Sequence, residues 1–308
     1  MKKAVLLLFI LLTVIDAGYA QKRKSSKNKR NNHEISFGIG ATNFLGELGG
    51  ANTIGSGKVS IRDFDWPSIR PSINIGYRYQ WHKHWAVKAD LNAAYIGGHD
   101  RLTDEMFREN RNLNFRSPIV ELAGRIEYGI NYYRKGQQYD LGIRGWRNYY
   151  ITTFFFVGAG TFYMDPKGKL NGQFYRLKPL GTEGQGLVPT RKKYSSIQFN
   201  IPFGLGIRYR IDKNWSIALE YGIRWTTTDY IDDVSLTYVD PEALRAAHGD
   251  LAVQLANPAL DSNPGDPLYN STLAGEQRGD PRDKDSYMFA ILSLYYKFGR
   301  GFMPKLRF

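Results

Sequence analysis

The chain has 308 residues, with 42 Lys and Arg against 29 Asp and Glu, a formal charge of +13 and no cysteine. The missing cysteine excludes a disulfide scaffold, a Cys-ligated zinc or iron–sulfur site, a Cys nucleophile and a lipidated N-terminal cysteine. An aromatic content of 14% is too high for a disordered protein, and a mean hydropathy of −0.43 argues against a helical membrane protein but leaves open a transmembrane β-barrel, whose strands alternate apolar and polar residues.

Lys2 and Lys3, the apolar stretch Ala4 to Ile15, and Gly18-Tyr19-Ala20 before Gln21 have the layout of a secretory signal cleaved after Ala20. The alternative is an uncleaved anchor, for which the apolar stretch is short. Residues 21–32 follow as a basic tail: Lys22, Arg23, Lys24, Lys27, Lys29 and Arg30 put half of the mature chain's excess positive charge into one short segment. An exported chain has little access to nucleic acid, so no nucleic-acid partner is expected. The tail reads as a solvated arm near a membrane surface or an acidic partner.

Period-two alternation then recurs along residues 33–299. Ile35, Phe37, Ile39 and Ala41 mark a first outward face; Ile73, Ile75, Tyr77, Tyr79 and Trp81 a second. After His82-Lys83-His84, Trp85, Val87, Ala89, Leu91, Ala93 and Tyr95 form a third, and Val120, Leu122, Ile126 and Tyr128 a fourth. The fifth strand, near 149–163, is apolar on both faces and its orientation is open. Ile197 to Ile211 and Trp215 to Trp225 form a tight pair around Asp212-Lys213-Asn214, and a last strand near 286–298 presents Met288, Ala290, Leu292, Leu294, Tyr296 and Phe298 outward. The expectation is an all-β fold, an eight-stranded antiparallel up-and-down transmembrane barrel with long extracellular loops and short periplasmic turns. A C-terminal tail, 300–308, follows it.

With the N-terminus periplasmic, the inner turns fall at 82–84, 131–148 and 212–214, and the outer loops near 44–70, 96–114, 164–195 and 226–285. The 131–148 turn is expected to extend its hairpin beyond the membrane. Trp81, Trp85, Tyr128, Tyr132, Tyr149, Tyr209 and Trp215 at one end, and Tyr95, Tyr163, Trp225 and Tyr287 at the other, are candidate interfacial girdles. The competing reading is a soluble barrel or sandwich with a Tyr-rich surface. Inward positions hold Arg78, Lys88, Asp90, Glu121, Arg125, Glu127, Arg208, Arg210, Glu220 and Arg224. Because side chains fill the interior of an eight-stranded barrel, these residues predict a salt-bridged plug. In the last outer loop, Asp240-Pro241 reads as N-cap and N1 of a short amphipathic helix carrying Leu244, Leu251 and Leu255, packed on the barrel rim.

Chemistry is sparse. There is no G-x-S-x-G, H-E-x-x-H, Walker loop or G-x-G-x-x-G after a strand, so no catalytic residue, cofactor or metal is assigned. His99 and His248 could act as bases in a barrel enzyme whose groups converge from separate strands; solvated loop histidines are the alternative. His82 and His84 make half a metal site at most. Asp229, Asp232 and Asp233 could bind Ca²⁺, but the segment lacks the loop spacing of a calcium motif, and rim hydrogen bonding and capping are the alternative.

Several strings carry a resemblance. They are Leu180-Gly181-Thr182-Glu183-Gly184-Gln185-Gly186, Ile201-Pro202-Phe203-Gly204-Leu205-Gly206, Thr228-Asp229-Tyr230-Ile231-Asp232-Asp233-Val234-Ser235 with Tyr238, and Asp285-Ser286-Tyr287-Met288-Phe289. With Glu34 to Gly38 and Leu45 to Gly50, they make the mature chain similar, in order and over nearly its whole length, to the PorG family, the outer-membrane barrel of the type IX (Por) secretion system of Bacteroidota. The resemblance implies a non-enzymatic membrane component associated with the periplasmic ring of the lipoprotein PorK and its partner PorN, with other secretion components of the outer membrane, and in some relatives with gliding motility. It brings no catalytic residues. The expected partner-facing surface comprises Lys22, Arg23, Lys24, His82, Lys83, His84, Tyr132, Tyr133, Arg134, Lys135, Arg144, Arg147 and Lys213. The alternatives are a small general barrel for adhesion or envelope integrity, and a barrel enzyme acting on lipid or peptide.

Overall fold

The computed structural model describes residues 32–48, 68–102, 105–134, 149–261 and 263–298. The signal segment 1–20, the tail with Lys22, Arg23 and Lys24, the turn residues Lys135, Arg144 and Arg147, and the C-terminal tail lie outside them.

Eight long strands form the wall: β1 (His33–Leu45), β2 (Arg70–Gln80), β3 (Trp85–His99), β4 (Asn114–Arg134), β5 (Tyr149–Met164), β8 (Ile197–Arg210), β9 (Trp215–Thr226) and β10 (Ser286–Phe298). A short hairpin, β6 (Lys167–Leu170) and β7 (Gln173–Arg176), stands on the wall between β5 and β8 in sequence. Every long strand pairs antiparallel with its neighbours, β1 pairs with β10 from His33↔Phe298 to Leu45↔Ser286, and β3 pairs with β4, so the sheet closes on itself. Closure leaves no wall strand with an unpaired edge, the condition for backbone polar groups to lie in hydrocarbon.

The alternation divides each strand as the sequence pattern requires. Ile39, Leu122, Phe199 and Ile197 are 59%, 61%, 64% and 65% exposed, while Asn74, Lys88, Glu121 and Glu127 between or beside such residues are buried. A continuous apolar belt of this kind has no place on a monomer in water, where exposed apolar patches stay small. It is the lipid face of a membrane barrel. The strand whose faces could not be separated from sequence is resolved: Phe154, Phe156 and Phe162 point inward, and Phe155, Val157 and Tyr163 outward. The rings of Phe154 and Phe156 fit because their partners across β8 are Gly206 and Gly204. A Cβ on Gly206 would sit inside contact distance of the Phe154 ring.

Girdle residues stack at one end, Trp81 on Trp85, Trp85 against Tyr128 and Trp215 against Tyr296. Tyr95, Tyr163 and Trp225 are exposed at the other, whereas Tyr287 is fully buried. Its parity on β10 is inward, so it belongs to the lumen and not to the girdle. Met288 has outward parity but is buried, with the Tyr221 hydroxyl 3.2 Å from its sulfur.

The turns 81–84 and 211–214 are short, and the β4–β5 ladder runs on to Arg134↔Tyr149, well beyond the Trp85↔Tyr128 pair that opens the β3–β4 ladder. The hairpin extension is therefore present as far as the chain is described. At the long-loop end, β3 reaches His99 and pairs with Asn114, leaving a loop with a single turn of 3₁₀ helix and α1 (Met106–Arg111). The last loop holds α2 (Pro241–His248), α3 (Asp250–Ala256) and α4 (Pro267–Asn270). Where one helix was expected there are two, because Gly249 adopts φ +79°, ψ 178° and breaks the chain between them. Asp240 caps α2 as predicted, accepting from the Glu242 N–H at 3.2 Å, and Leu244, Ala252 and Ala256 form its apolar contact. α3 packs on the β6–β7 hairpin, where Leu255 lies beside Gly168.

Candidate functional site

The lumen decides what kind of site the molecule can offer. Ten ionisable residues of the wall are buried inside it: Arg78, Lys88, Arg125, Arg208 and Arg224 against Glu34, Asp90, Glu121, Glu127 and Glu220. Five cations meet five anions, a closer balance than expected, because Glu34 joins the plug and Arg210 does not. Near the short-turn end, Arg78 bridges Glu127 at 2.6 Å and Glu34 at 3.0 Å, and Arg208 holds Glu34 at 3.1 Å. In the middle, Lys88 lies 3.0 Å from Asp90 and 2.8 Å from the Tyr295 hydroxyl, and Arg125 pairs with Asp90 at 3.0 Å and with Glu220. Higher up, Glu121 accepts from Asn92, Asn200 and Tyr287 at 2.7 Å each. Guanidinium planes lie on inward rings, Arg125 over Phe156 at 4.2 Å and Arg224 over Phe289 at 4.4 Å. Above them Phe44, Ile96, Phe115, Phe162 and Ile231 form an apolar stopper. Charges taken from water are tolerated only when paired in this way, and the paired layers fill the interior. Function therefore rests on the two ends and the outer wall.

At the short-turn end the strand termini surround a small concave mouth. Lys83, Arg210, Lys213 and Lys297 line its lip, Arg78 and Arg208 its floor, and Glu34 and Asp212 are the acids among them. Both acids are engaged. Glu34 holds the two floor arginines, and Asp212 Oδ1 accepts the backbone N–H groups of Asn214 and Trp215 at 2.7 Å each, which keeps its carboxyl below the usual range and fixes the turn that carries Lys213. The turn at Lys83 is held too: its carbonyl accepts from Gln80 at 3.2 Å and Asn131 at 3.3 Å, and His84 Nδ1 lies 2.8 Å from the Gly129 carbonyl oxygen. Arg210, assigned to the lumen by alternation, lies one step beyond the plug and stacks on the Tyr150 ring at 4.0 Å.

Of the expected partner-facing residues, Lys83, His84 and Lys213 come together at this mouth. Tyr132 is exposed on the outer face of the β4 extension. Tyr133 and Arg134 continue that strand, their side chains lying outside the described residues. His82 is exposed beside the mouth, its Nδ1 accepting the His84 N–H at 3.5 Å. Arg210 and Lys297 were missed; each is the last inward-parity position before a strand leaves the membrane.

The strings that carry the resemblance meet at the opposite end. Thr182 donates to Asp233, whose other oxygen accepts the Tyr194 hydroxyl at 2.7 Å, and Tyr194 stacks on Tyr230 at 4.8 Å. Glu183 accepts from the Ser235 and Leu236 N–H groups at 2.9 and 3.1 Å and pairs with buried Arg278 at 2.9 Å. Gln185 Oε1 accepts the Glu183 N–H at 3.0 Å, the Gly184 N–H reaches Gly181 O at 2.7 Å, and the Gly186 N–H reaches Arg191 O at 2.8 Å. Ser235 donates to Asp229 at 2.7 Å, and Asp232 accepts the Val234 N–H at 3.0 Å. Burial raises the Glu47 and Asp229 carboxyls to about 7 and Asp233 to about 6; burial and then neighbouring carboxylates push Asp232 and Asp285 well up. Among the described residues no group of His, Asp or Glu is arranged to hold a metal ion.

The model of the family described as "Outer membrane protein beta-barrel domain" matches residues 7–239. The attachment invasion locus protein Ail of Yersinia pestis, solved in complex with the heparin analogue sucrose octasulfate, is 12% identical with a TM-score of 0.36, covering 87% of this chain and 99% of its own. Neisserial surface protein A is 8% identical with a TM-score of 0.35, covering 87% and 98%. At these values neither carries an argument about function. No curated protein matches the chain.

Proposed function

This chain belongs to the outer membrane protein beta-barrel domain family, and from that premise we propose that it is a non-enzymatic component of the type IX (Por) secretion machinery, docking the periplasmic ring of PorK and PorN at the outer membrane. In bacterial outer-membrane barrels the short turns face the periplasm and the long loops the exterior, so the basic mouth is the periplasmic face. The observation that carries the reading is the filled lumen: a barrel plugged by matched ion pairs offers surfaces to bind, not a passage. The motif strings, in the order of the PorG family, supply the identity of the machinery, and their mutual hydrogen bonds account for their pattern as a cap on the exterior rim. In some relatives the same resemblance extends to gliding.

Affinity purification of the tagged barrel in mild detergent tests this. A periplasmic ring recovered with it, and loss of bulk secretion with intact membranes when the gene is deleted, is the expected result. The folded cap of two loops at the exterior end favours the second reading, an adhesion or envelope-integrity barrel. A lone barrel whose deletion alters surface binding or leakiness would replace the first reading by the second. A missing lipid or peptide product on deletion would point to an enzyme.

A further inference from the structure

The mouth has a chemistry more specific than a basic surface, and we propose that it is a receptor for an acidic peptide segment, which its arginines and lysines hold through carboxylates. The inference rests on the periplasmic docking reading and names what the docked partner presents there.

Two observations carry it. The lip cations outnumber the acids, and both acids are already occupied, Glu34 by Arg78 and Arg208 and Asp212 by its own turn. Arg210 lies flat on Tyr150 with no carboxylate in ion-pair reach among the described residues, so its donor edge is pre-positioned rather than spent. A planar fork of this kind suits carboxylates, which it grips with two parallel bonds.

The position selects a peptide over a lipid. Trp81, Trp85 and Trp215 are exposed around the outside of this end, where lipid headgroups lie. The mouth opens inside that ring, along the barrel axis, where an extended chain from a periplasmic protein can enter and a phospholipid held by its acyl chains cannot. Electrostatic attraction of this type raises the association rate and falls with salt.

The test uses the full barrel in nanodiscs and a fluorescent octaglutamate peptide, with octalysine as the opposite-charge probe. Octaglutamate is expected to bind, octalysine not, and the double variant R210E/K213E is expected to weaken octaglutamate by about tenfold or more. The exterior variant K192E should leave it unchanged, and heat-modifiable gel mobility reports that each variant is folded. Absent binding, binding indifferent to R210E/K213E, or retention of an anionic phospholipid that R210E/K213E abolishes would overturn the proposal. Ring recovery separates the two claims. If wild type recovers the ring and R210E/K213E recovers it equally, the acidic-segment receptor fails while docking stands; if wild type recovers no ring, docking fails.

Discussion

Glu121 shows what a single side chain does in this interior. It is fully buried and accepts from Asn92, Asn200 and Tyr287 while lying 3.4 Å from Arg224. Removing it strands a buried guanidinium and three donors, so Glu121→Ala should cost about 3–5 kcal/mol, measured by urea unfolding in phospholipid vesicles. Glu121→Gln, which keeps the shape and an acceptor, should cost less. Arg278 plays the same part in the exterior cap, reaching Glu183 and the Asp233 carbonyl oxygen. The cap carboxyls have a pH signature. Glu47 and Asp229 are raised to about 7 and Asp233 to about 6 by burial, above unfolded values near 4. An acid whose pKa is raised on folding lends its full share of stability below the unfolded value and loses it as pH rises through the folded value. Intrinsic-rate-corrected hydrogen exchange at 228–236 and 279–286 should therefore be faster at about pH 8 than at about pH 5. Equal or slower exchange at the higher pH would contradict the assignment.

At the scale of elements, the wall strands were legible in sequence because a membrane barrel forces strict period-two patterning on every span. The Ile, Phe and Leu rows of β1, β2, β8 and β9 could be read directly. The fifth strand could not, since Phe154 and Phe156 are held inward by glycines on neighbouring strands that no local pattern reveals. Nor could the β6–β7 hairpin, four residues a side with little alternation. The α2–α3 pair was half legible: the Asp240-Pro241 start was clear, and the Gly249 break surfaces only as a backbone angle. Gly249→Ala places a side chain at φ +79°, ψ 178°, a strain of about 1–3 kcal/mol. Faster exchange across 241–256 with unchanged heat-modifiable mobility is the expected outcome, the barrel itself being independent of that joint.

For the whole molecule, the charge pattern is divided by function. The wall interior is balanced, and among the described residues Lys83, Arg210, Lys213 and Lys297 gather at the mouth. Sequence placed Lys83, His84 and Lys213 there through the turns, and missed Arg210 and Lys297 because alternation cannot say at which residue a lumen ends and an aqueous mouth begins. A balanced, interlocked plug predicts no conductance: the purified barrel in planar bilayers should show no ion-channel steps, and stable steps would contradict the filled lumen. Docking at the mouth is tested most directly by photocrosslinking in intact cells, with the crosslinker placed in turn at Lys83 and Lys213 at the mouth and at Lys192 and Arg282 in the long loops. The account predicts crosslinks to periplasmic ring proteins from Lys83 and Lys213. Ring crosslinks arising only from Lys192 and Arg282 would contradict it.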